Sequence, residues 1–408
     1  MKKLILALTI VLTLALALLA PSAVLAQEKK PLVVVIAHGM FGEDDQLNYM
    51  MGNITEVEWK VITGEITYDE IKDADMIIYV QVDTGLQITD EELNAIKQWF
   101  DQGGKTLWVT GDSDYKGGDY ARIPNTNKIL EAVGSVLRND HCEAVDRGVN
   151  FGSDYRVGGL IKPDPELFFL AGGVLHPVLF HGPAPITLYV NGEWKPLYGT
   201  GEKPIENVYR IAITSPKGAI EEFVEPLPHA YEVGEEGSFA LMAAEIMDKD
   251  NIVILSTEAP FDHYQGMWVS EYKGIKGSGP EFVRNIILWG VGLYGSRIPE
   301  SIKFKQQLAS LSKEIDDLKS QLEKLQGEKQ SLEQELENTK KTLQSQIDTL
   351  KSQVSACQEE KNALQSDKET LMKEVESLRG ALNTYMIGGA IIGLIIGFAI
   401  GFFLKRKP

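Results

Sequence analysis

Cysteine and histidine are scarce in this sequence, and their spacing matches no common framework. The 408 residues contain two cysteines, Cys142 and Cys357, and six histidines. Two cysteines so far apart exclude a disulfide-rich scaffold and a Cys-x-x-Cys zinc site. The histidines show neither H-x-x-x-H nor H-E-x-x-H spacing, so no transition-metal centre is predicted.

Basic residues are also few before residue 301. Residues 27–300, which we call the head, carry 22 basic and 43 acidic side chains, a net charge of −21. Such a surface repels phosphate groups, which argues against nucleic acid or anionic lipid as a ligand. Solubility is the simplest reason for the charge, and cations or basic proteins are the other options.

Proline is absent from residues 301–384, which carry a long heptad pattern instead. The first apolar positions of this seam alternate at spacings of three and four residues: Leu308, Leu311, Ile315, Leu318, Leu322, Leu325, Leu332 and Leu336. The pattern predicts a parallel coiled-coil stalk, about 120 Å long, through which the chain forms a homo-oligomer. A four-residue shift between Leu343 and Ile347 predicts local unwinding of the supercoil. The alternative is a single solvated helix held by Glu/Lys pairs.

Three lysines and one cysteine occupy core positions of the seam. Lys329, Lys361 and Lys368 lie at a positions, where polar residues set register and strand number more often than they bind a ligand. Cys357 lies at a d position and would face its copy in a parallel oligomer. It either forms an interchain disulfide or packs as a small apolar residue.

Charge is absent from residues 385–404, directly after the heptads. Their length and the basic tail that follows, residues 405–408, predict one membrane-spanning helix with a cytoplasmic C-terminus. Glycine recurs every fourth residue in this span, at Gly389, Gly393, Gly397 and Gly401. Because such a stripe lets helices approach closely, we expect self-association here, with a monomeric anchor as the alternative.

The amino terminus is apolar as well. Residues 1–26 combine two lysines, a long apolar run, Pro21 and small residues up to Ala26, which predicts a secretory signal peptide. Its cleavage would leave the head outside the cell. An uncleaved membrane anchor is the alternative, because the apolar run is long.

The head is predicted to be an α/β domain with a mostly parallel sheet flanked by helices. Apolar strands are expected at residues 32–37, 76–82 and 106–110, with a capped helix between the last two, from Thr89 to Gly103. Residues 148–237 predict a β-rich insertion, with a hairpin turn at Asn191-Gly192. Functional residues are expected at the carboxyl ends of the parallel strands.

Five runs within residues 31–295 follow one known pattern. They are Asp75-Met-Ile-Ile-Tyr, Ile88-Thr-Asp-Glu-Glu-Leu, Gln102-Gly-Gly-Lys-Thr-Leu-Trp-Val-Thr-Gly-Asp112, His176-Pro-Val-Leu179, and Thr257-Glu-Ala-Pro-Phe after a late strand. Together they resemble the class I glutamine amidotransferase-like fold, especially its non-enzymatic members. Catalytic members of that family carry a cysteine on the turn after the core strand, and a histidine and a glutamate after a late strand. Here that turn reads Gly111-Asp112-Ser113 and Cys142 lies well downstream, so the resemblance implies a domain that does not hydrolyse glutamine.

A serine hydrolase is one alternative chemistry for this edge. Gly111-Asp112-Ser113 contains half of an α/β-hydrolase elbow, and Tyr115 stands where its second glycine would be. Ser113 would be the nucleophile, His263 the base, and His38-Gly39 the oxyanion turn.

Calcium binding is a second alternative. Asp112, Asp114 and Asp119 offer the oxygen ligands that this cation prefers. The loop matches only the start of an EF-hand and lacks its glutamate at the twelfth position. A polar surface turn is the other interpretation of both motifs.

These features predict a non-catalytic, membrane-anchored cell-surface protein whose head binds a ligand or partner. Surface-layer or envelope proteins are the expected partners besides the homo-oligomer, in the manner of archaeal surface stalk proteins. The competing hypothesis is a membrane-tethered hydrolase, serine-type or metal-assisted, at Asp112, Ser113 and His263.

Overall fold

A computed structural model describes residues 29–113, 122–262 and 266–404. The predicted signal peptide and the basic tail lie outside these residues, as do Asp114, Asp119 and His263. The chain divides into two units, the first ending at Leu308 and the second beginning at Ala309.

The first unit holds all of the strands in the described part of the chain. They are β1 (Leu32–His38), β2 (Glu58–Ile62), β3 (Met76–Gln81), β4 (Thr106–Thr110), β5 (Leu137–Asn139), β6 (Glu143–Asp146), β7 (Arg156–Ile161), β8 (Val178–His181), β9 (Ile186–Val190), β10 (Glu193–Pro196), β11 (Val208–Ile213), β12 (Gly218–Glu221), β13 (Glu236–Gly237), β14 (Ala240–Ile246), β15 (Ile252–Ser256), β16 (Glu271–Tyr272) and β17 (Ile275–Lys276). The helices are α1 (Asp45–Asn53), α2 (Tyr68–Ile71), α3 (Asp90–Phe100), α4 (Arg122–Ala132), α5 (Gly279–Gly290) and α6 (Glu300–Leu404).

The central sheet has nine strands in the order β2-β1-β3-β4-β15-β14-β11-β7-β8. Neighbours from β2 to β15 run parallel, and neighbours from β15 to β8 run antiparallel. The sheet is therefore mixed, where the sequence pattern suggested a mostly parallel one. The reason is that part of the predicted β-rich insertion, namely β7, β8 and β11, pairs directly with the main sheet. The remaining antiparallel pair, β14 and β15, is joined by the short connection of residues 247–251.

Both faces of the sheet are covered by apolar layers. Alternate residues of β1 show this, because Val33 and Val35 belong to one buried cluster, and Val34 and Ile36 to the other. Successive side chains of a strand point to opposite faces, so a strand buried on both sides is apolar throughout. The uninterrupted apolar runs in the sequence reflect this position between two layers.

Two local sequence signals are confirmed. Thr89 and Glu92 form the reciprocal capping box at the start of α3, and Gly103 after its end has a φ of 80°. Asn191 and Gly192, with φ of 53° and 86°, join β9 to its antiparallel partner β10. Positive φ at both positions is what a two-residue hairpin turn needs.

The second unit is helical, and α6 continues without a break from Glu300 to Leu404. Every apolar residue of the seam is exposed, from 45% at Ile347 to 70% at Val354. In the described part of the chain one helix, α6, is long and apolar enough to cross a membrane. This agrees with a single-pass membrane protein, while the coiled coil and its parallel orientation stay predictions.

Candidate functional site

Polar side chains gather where β4 and β15 end side by side. The two strands are parallel and pair Thr110 with Ser256, so the segments that follow them leave the sheet at the same edge. Asp112 and Ser113 follow β4, and Glu258 follows β15. We call this region the carboxyl edge. All three side chains are buried, with exposures of 7%, 1% and 0%.

Asp112 is held by an arginine from the start of α4. Nη1 of Arg122 lies 2.5 Å from Oδ2 of Asp112, and both side chains are more than nine-tenths buried. Nη2 of the same guanidinium lies 3.6 Å from Oδ2 of Asp262, a residue with a φ of 62°. Asp262 is therefore in the left-handed region, which aspartate tolerates better than most residues. The guanidinium thus bridges the segments that follow β4 and β15.

The turn after β4 is fixed by the side chain of Asn139. Its Oδ1 accepts a hydrogen bond from the Asp112 backbone N–H at 3.1 Å, and its Nδ2 donates to the Asp112 carbonyl at 2.8 Å. A Cβ on Gly111 would lie 1.9 Å from Oδ1 of Asn139, so only glycine fits at that position. The close approach explains why the polar turn begins with glycine.

Glu258 is a buried acid. Its Oε2 accepts a hydrogen bond from the His181 backbone N–H at 2.6 Å, and its Oε1 accepts one from the Ala259 N–H at 2.9 Å. Burial raises the pKa of Glu258 well above its usual range, the charge of Asp112 adds to the rise, and the two N–H donors and Arg122 oppose it. A neutral carboxyl group is favoured here, and it can donate a hydrogen bond as well as accept one.

Ser113 and Glu143 flank the backbone at Gly182, just beyond β8. A Cβ on Gly182 would lie 3.2 Å from Oε1 of Glu143 and 3.8 Å from Oγ of Ser113. The carboxyl edge therefore combines the buried acids Asp112, Glu143 and Glu258 with one guanidinium and one hydroxyl. Such a set can bind and orient a polar ligand through hydrogen bonds.

His38 lies in a neighbouring polar network. Its Nδ1 is 3.1 Å from Oε1 of Gln81 and 3.0 Å from the Tyr79 hydroxyl, and its Nε2 is 3.4 Å from Oε1 of Glu92. Both ring nitrogens are thereby occupied within that network. The backbone N–H of Gly39 donates to the carbonyl of Thr63 at 3.1 Å. This donor is already used, which weighs against an oxyanion turn at His38-Gly39.

The other predicted site residues lie outside the turn after β4 or outside the described part of the chain. Cys142 is fully buried in the apolar core, immediately before β6, and does not occupy the turn after β4. His263, Asp114 and Asp119 lie outside the described residues. Of the calcium candidates Asp112 is described, and a cation there would have to compete with Arg122.

Sequence reasoning missed Arg122, Glu143 and Glu258. Glu258 lies in the Thr257-Glu-Ala-Pro-Phe run and follows a late strand, so its place in the chain was a usable signal. Arg122 and Glu143 meet the carboxyl edge from α4 and β6, and no spacing rule predicts contacts between such elements.

One family model matches part of the chain. The family described as FlxA-like protein matches residues 294–382. No curated protein matches the chain.

Among solved structures, the mmIFT52 N-terminal domain shares 10% identity at a TM-score of 0.42, covering 64% of this chain and 96% of that one. A putative GMP synthase subunit from Thermoplasma acidophilum shares 9% at 0.29, covering 64% and 94%. PurLQS from Thermotoga maritima shares 11% at 0.28, covering 64% and 99%. The last two are weak structural neighbours with glutamine amidotransferase-like folds. Likeness at this level says nothing about activity.

Proposed function

We propose that this chain is a non-catalytic, single-pass membrane protein of the cell surface. Residues 301–384 associate with copies of the same chain, and the head presents the carboxyl edge to a ligand or to an envelope or surface-layer protein. The exposed apolar seam of α6 is the observation that carries the proposal.

In a single chain, the large apolar side chains of the seam are exposed to water along the whole row. Leu308, Leu318 and Leu332 are 51%, 56% and 64% exposed. Burying a half-exposed leucine gains roughly 1 kcal/mol, so the whole seam offers on the order of 10 kcal/mol per helix. That gain exceeds the lower estimates of the entropy lost on association. A second copy is the natural partner, because heptad seams are self-complementary.

The glycine stripe continues the seam into the predicted membrane span. A Cβ on Gly389, Gly393, Gly397 or Gly401 would meet nothing within 4 Å in the single chain. These glycines are therefore not required by the chain's own packing. Close approach of a neighbouring helix in lipid is the role that we assign to them.

The head supports a binding role better than a catalytic one. The position of the amidotransferase-type nucleophile is taken by Asp112 and Ser113, and Asp112 is committed to Arg122. Arg122 is likewise committed to Asp112, because removing either partner would leave the other charge buried and unpaired. The polar groups around it give the edge its capacity to recognise a polar ligand.

The oligomer is tested with full-length protein purified in detergent. We expect light scattering after size-exclusion chromatography to give a multiple of the chain mass. Leu318→Asp combined with Leu325→Asp changes two d positions and should lower that mass. Ser320→Asp combined with Gly327→Asp places the same charges at two f positions of the same turns and should leave it unchanged. Circular dichroism verifies that α6 stays helical in both variants.

The glycine stripe is tested in the same way. Gly393→Ile with Gly397→Ile should weaken association in detergent, and Ile392→Leu with Ile396→Leu is the control on the neighbouring face. A wild-type chain that is monomeric at all micromolar concentrations refutes the oligomer. Surface display is tested separately, by labelling intact cells with an amine reagent that does not cross membranes.

The competing hypothesis is the membrane-tethered hydrolase at Asp112, Ser113 and His263, and the observation that favours it is the buried acid Glu258 at the same edge. A buried acid with a pKa raised well above its usual range is a feature that active sites share. Full-length protein should be assayed with generic ester and amide substrates, beside Ser113→Ala. Turnover that disappears in this variant would establish a serine hydrolase, whereas we expect no turnover in either protein.

A further inference from the structure

Two histidines far apart in sequence meet on the head, outside the carboxyl edge. His141 lies between β5 and β6, and His229 lies between β12 and β13. Their ring centres are 5.4 Å apart, and the ring planes make an angle of 53°. The rings are therefore close but not stacked on each other.

A fully buried aspartate anchors this pair. Oδ1 of Asp140 accepts from the backbone N–H groups of His141 and His229, each at 2.8 Å, and lies 3.0 Å from Nδ1 of His229. Oδ2 accepts from the Ala230 N–H at 3.0 Å. A carboxylate offers about four lone-pair sites, and four donors surround this one. Asp140 thus orients His229 and has little capacity left to bind anything else.

The hydrogen bond to Asp140 also selects the tautomer of His229. Because Nδ1 faces an acceptor, it is the nitrogen that carries the hydrogen, and Nε2 keeps its lone pair. A carboxylate that holds one imidazole nitrogen in this way is the usual outer partner of a metal-binding histidine. The His229 side chain is 32% exposed, so solvent reaches it.

We propose that His141 and His229 together bind a divalent transition metal ion of the zinc type. Two imidazoles on one tetrahedral zinc, with Zn–N bonds of about 2.0–2.1 Å, have ring centres roughly 5 Å apart. Within residues 29–113, 122–262 and 266–404, no three His, Cys, Asp or Glu side chains are grouped to hold a metal. A site with these two protein ligands leaves the other coordination positions of the ion to water, so the ion should exchange readily.

Trp194 provides a built-in reporter. Its ring stacks on that of His229, with centres 4.1 Å apart and planes at 23°. A metal ion on Nε2 of His229 changes the electronic environment of this indole. Zinc binding should therefore change tryptophan emission.

The experiment is a zinc chloride titration of untagged, full-length protein in detergent, followed by calorimetry and by tryptophan emission. We expect one zinc ion per chain. His141→Gln and His229→Gln should each weaken binding at least tenfold, and Asp140→Asn, which alters the outer partner, about tenfold. His176→Gln is the matched control, because His176 is exposed and lies outside the pair.

Trp194→Phe distinguishes zinc binding from the change in tryptophan emission that it causes. This variant should bind zinc with wild-type affinity but lose the change in emission. Circular dichroism and melting temperature show that each variant is folded, and the His141 and His229 variants test the site independently of each other. Absence of zinc binding in the wild type overturns the proposal. Binding that survives unchanged in both histidine variants overturns it equally.

Discussion

Among the described residues, most leucine side chains of the first unit are buried and those of the second unit are exposed. Leu255, in the middle of β15, is fully buried, whereas Leu332 on α6 is 64% exposed. The first unit buries its apolar side chains in two layers, one on each face of a nine-stranded sheet. The second unit is a helix with no such layer. The first unit thus buries its apolar side chains within one chain, whereas the seam leaves its own exposed.

Leucine truncation should have the largest effect and should separate the units. Leu255→Ala removes fully buried methyl groups and should lower the free energy of unfolding of the head by about 2–5 kcal/mol. Leu332→Ala should leave it within about 0.5 kcal/mol, because that side chain does not belong to the core. All six tryptophans lie between residues 59 and 289, so their emission during denaturation reports on the head alone.

An equal loss from both substitutions would contradict this separation. It would mean that the seam stabilises the head, and that the two units unfold together. Leu332→Ala is expected to act on the oligomer instead, where it reduces the apolar area that the seam can bury.

Glycine substitution should give effects of opposite sign in the two units. Gly111→Ala places a Cβ 1.9 Å from Asn139 Oδ1, so Asn139 must move and its bonds to Asp112 weaken. We expect a loss of about 1–3 kcal/mol in the head. Gly327→Ala meets open space and should stabilise α6 by about 0.5–1 kcal/mol. Denaturation followed by tryptophan emission for the head, and by circular dichroism for the helix, measures the two effects.

The pH dependence of the head should change when Glu258 is made uncharged. Its pKa is raised in the folded state, chiefly by burial, so the folded state holds a proton that the unfolded state releases. The free energy of unfolding therefore falls as pH rises above about 4.3, by up to about 1.4 kcal/mol per pH unit, until the folded pKa is reached. Glu258→Gln should remove this fall. The free energy of unfolding of the variant should therefore increase relative to that of the wild type as the pH approaches neutrality.

The matched control for that experiment is Glu337→Gln on the exposed part of α6. It removes one carboxylate from the chain without touching the carboxyl edge, and the pH profile of head unfolding should stay as in the wild type. A Glu258→Gln profile that runs parallel to that of the wild type would show that Glu258 ionises normally.

Local patterns explain most of what the sequence predicts correctly. The capping box at Thr89 and the turn at Asn191-Gly192 depend on residues within a few positions of each other. The apolar strands and the helix over residues 301–384 are predicted by periodic signals of the same local kind. The mixed character of the sheet is different, because it depends on which strands pair across long stretches of chain.

The candidate sites depend on such long-range contacts. Arg122 meets Asp262, and His141 meets His229, at separations that no motif spans. Histidine spacing therefore predicts no metal site, although the fold brings two imidazoles together. Glu258 follows the late strand in the sequence, but its raised pKa follows from its burial and, secondarily, from the charge of Asp112 after β4, while the His181 N–H of β8 opposes the rise.

The smallest expected effect concerns the polar positions of the seam. Lys329 lies at an a position and makes an exposed ion pair with Glu333 at 3.8 Å, which contributes only about 0.3–0.5 kcal/mol. Lys329→Leu removes the polar break between Leu325 and Leu332 and should raise the stability of the oligomer by roughly 1 kcal/mol per chain. Lys324→Leu, at a c position, adds the same side chain away from the seam and should not. Thermal melting followed by circular dichroism distinguishes them, because equal melting temperatures for the two variants are expected of a solitary helix, and a higher one for Lys329→Leu of a coiled coil.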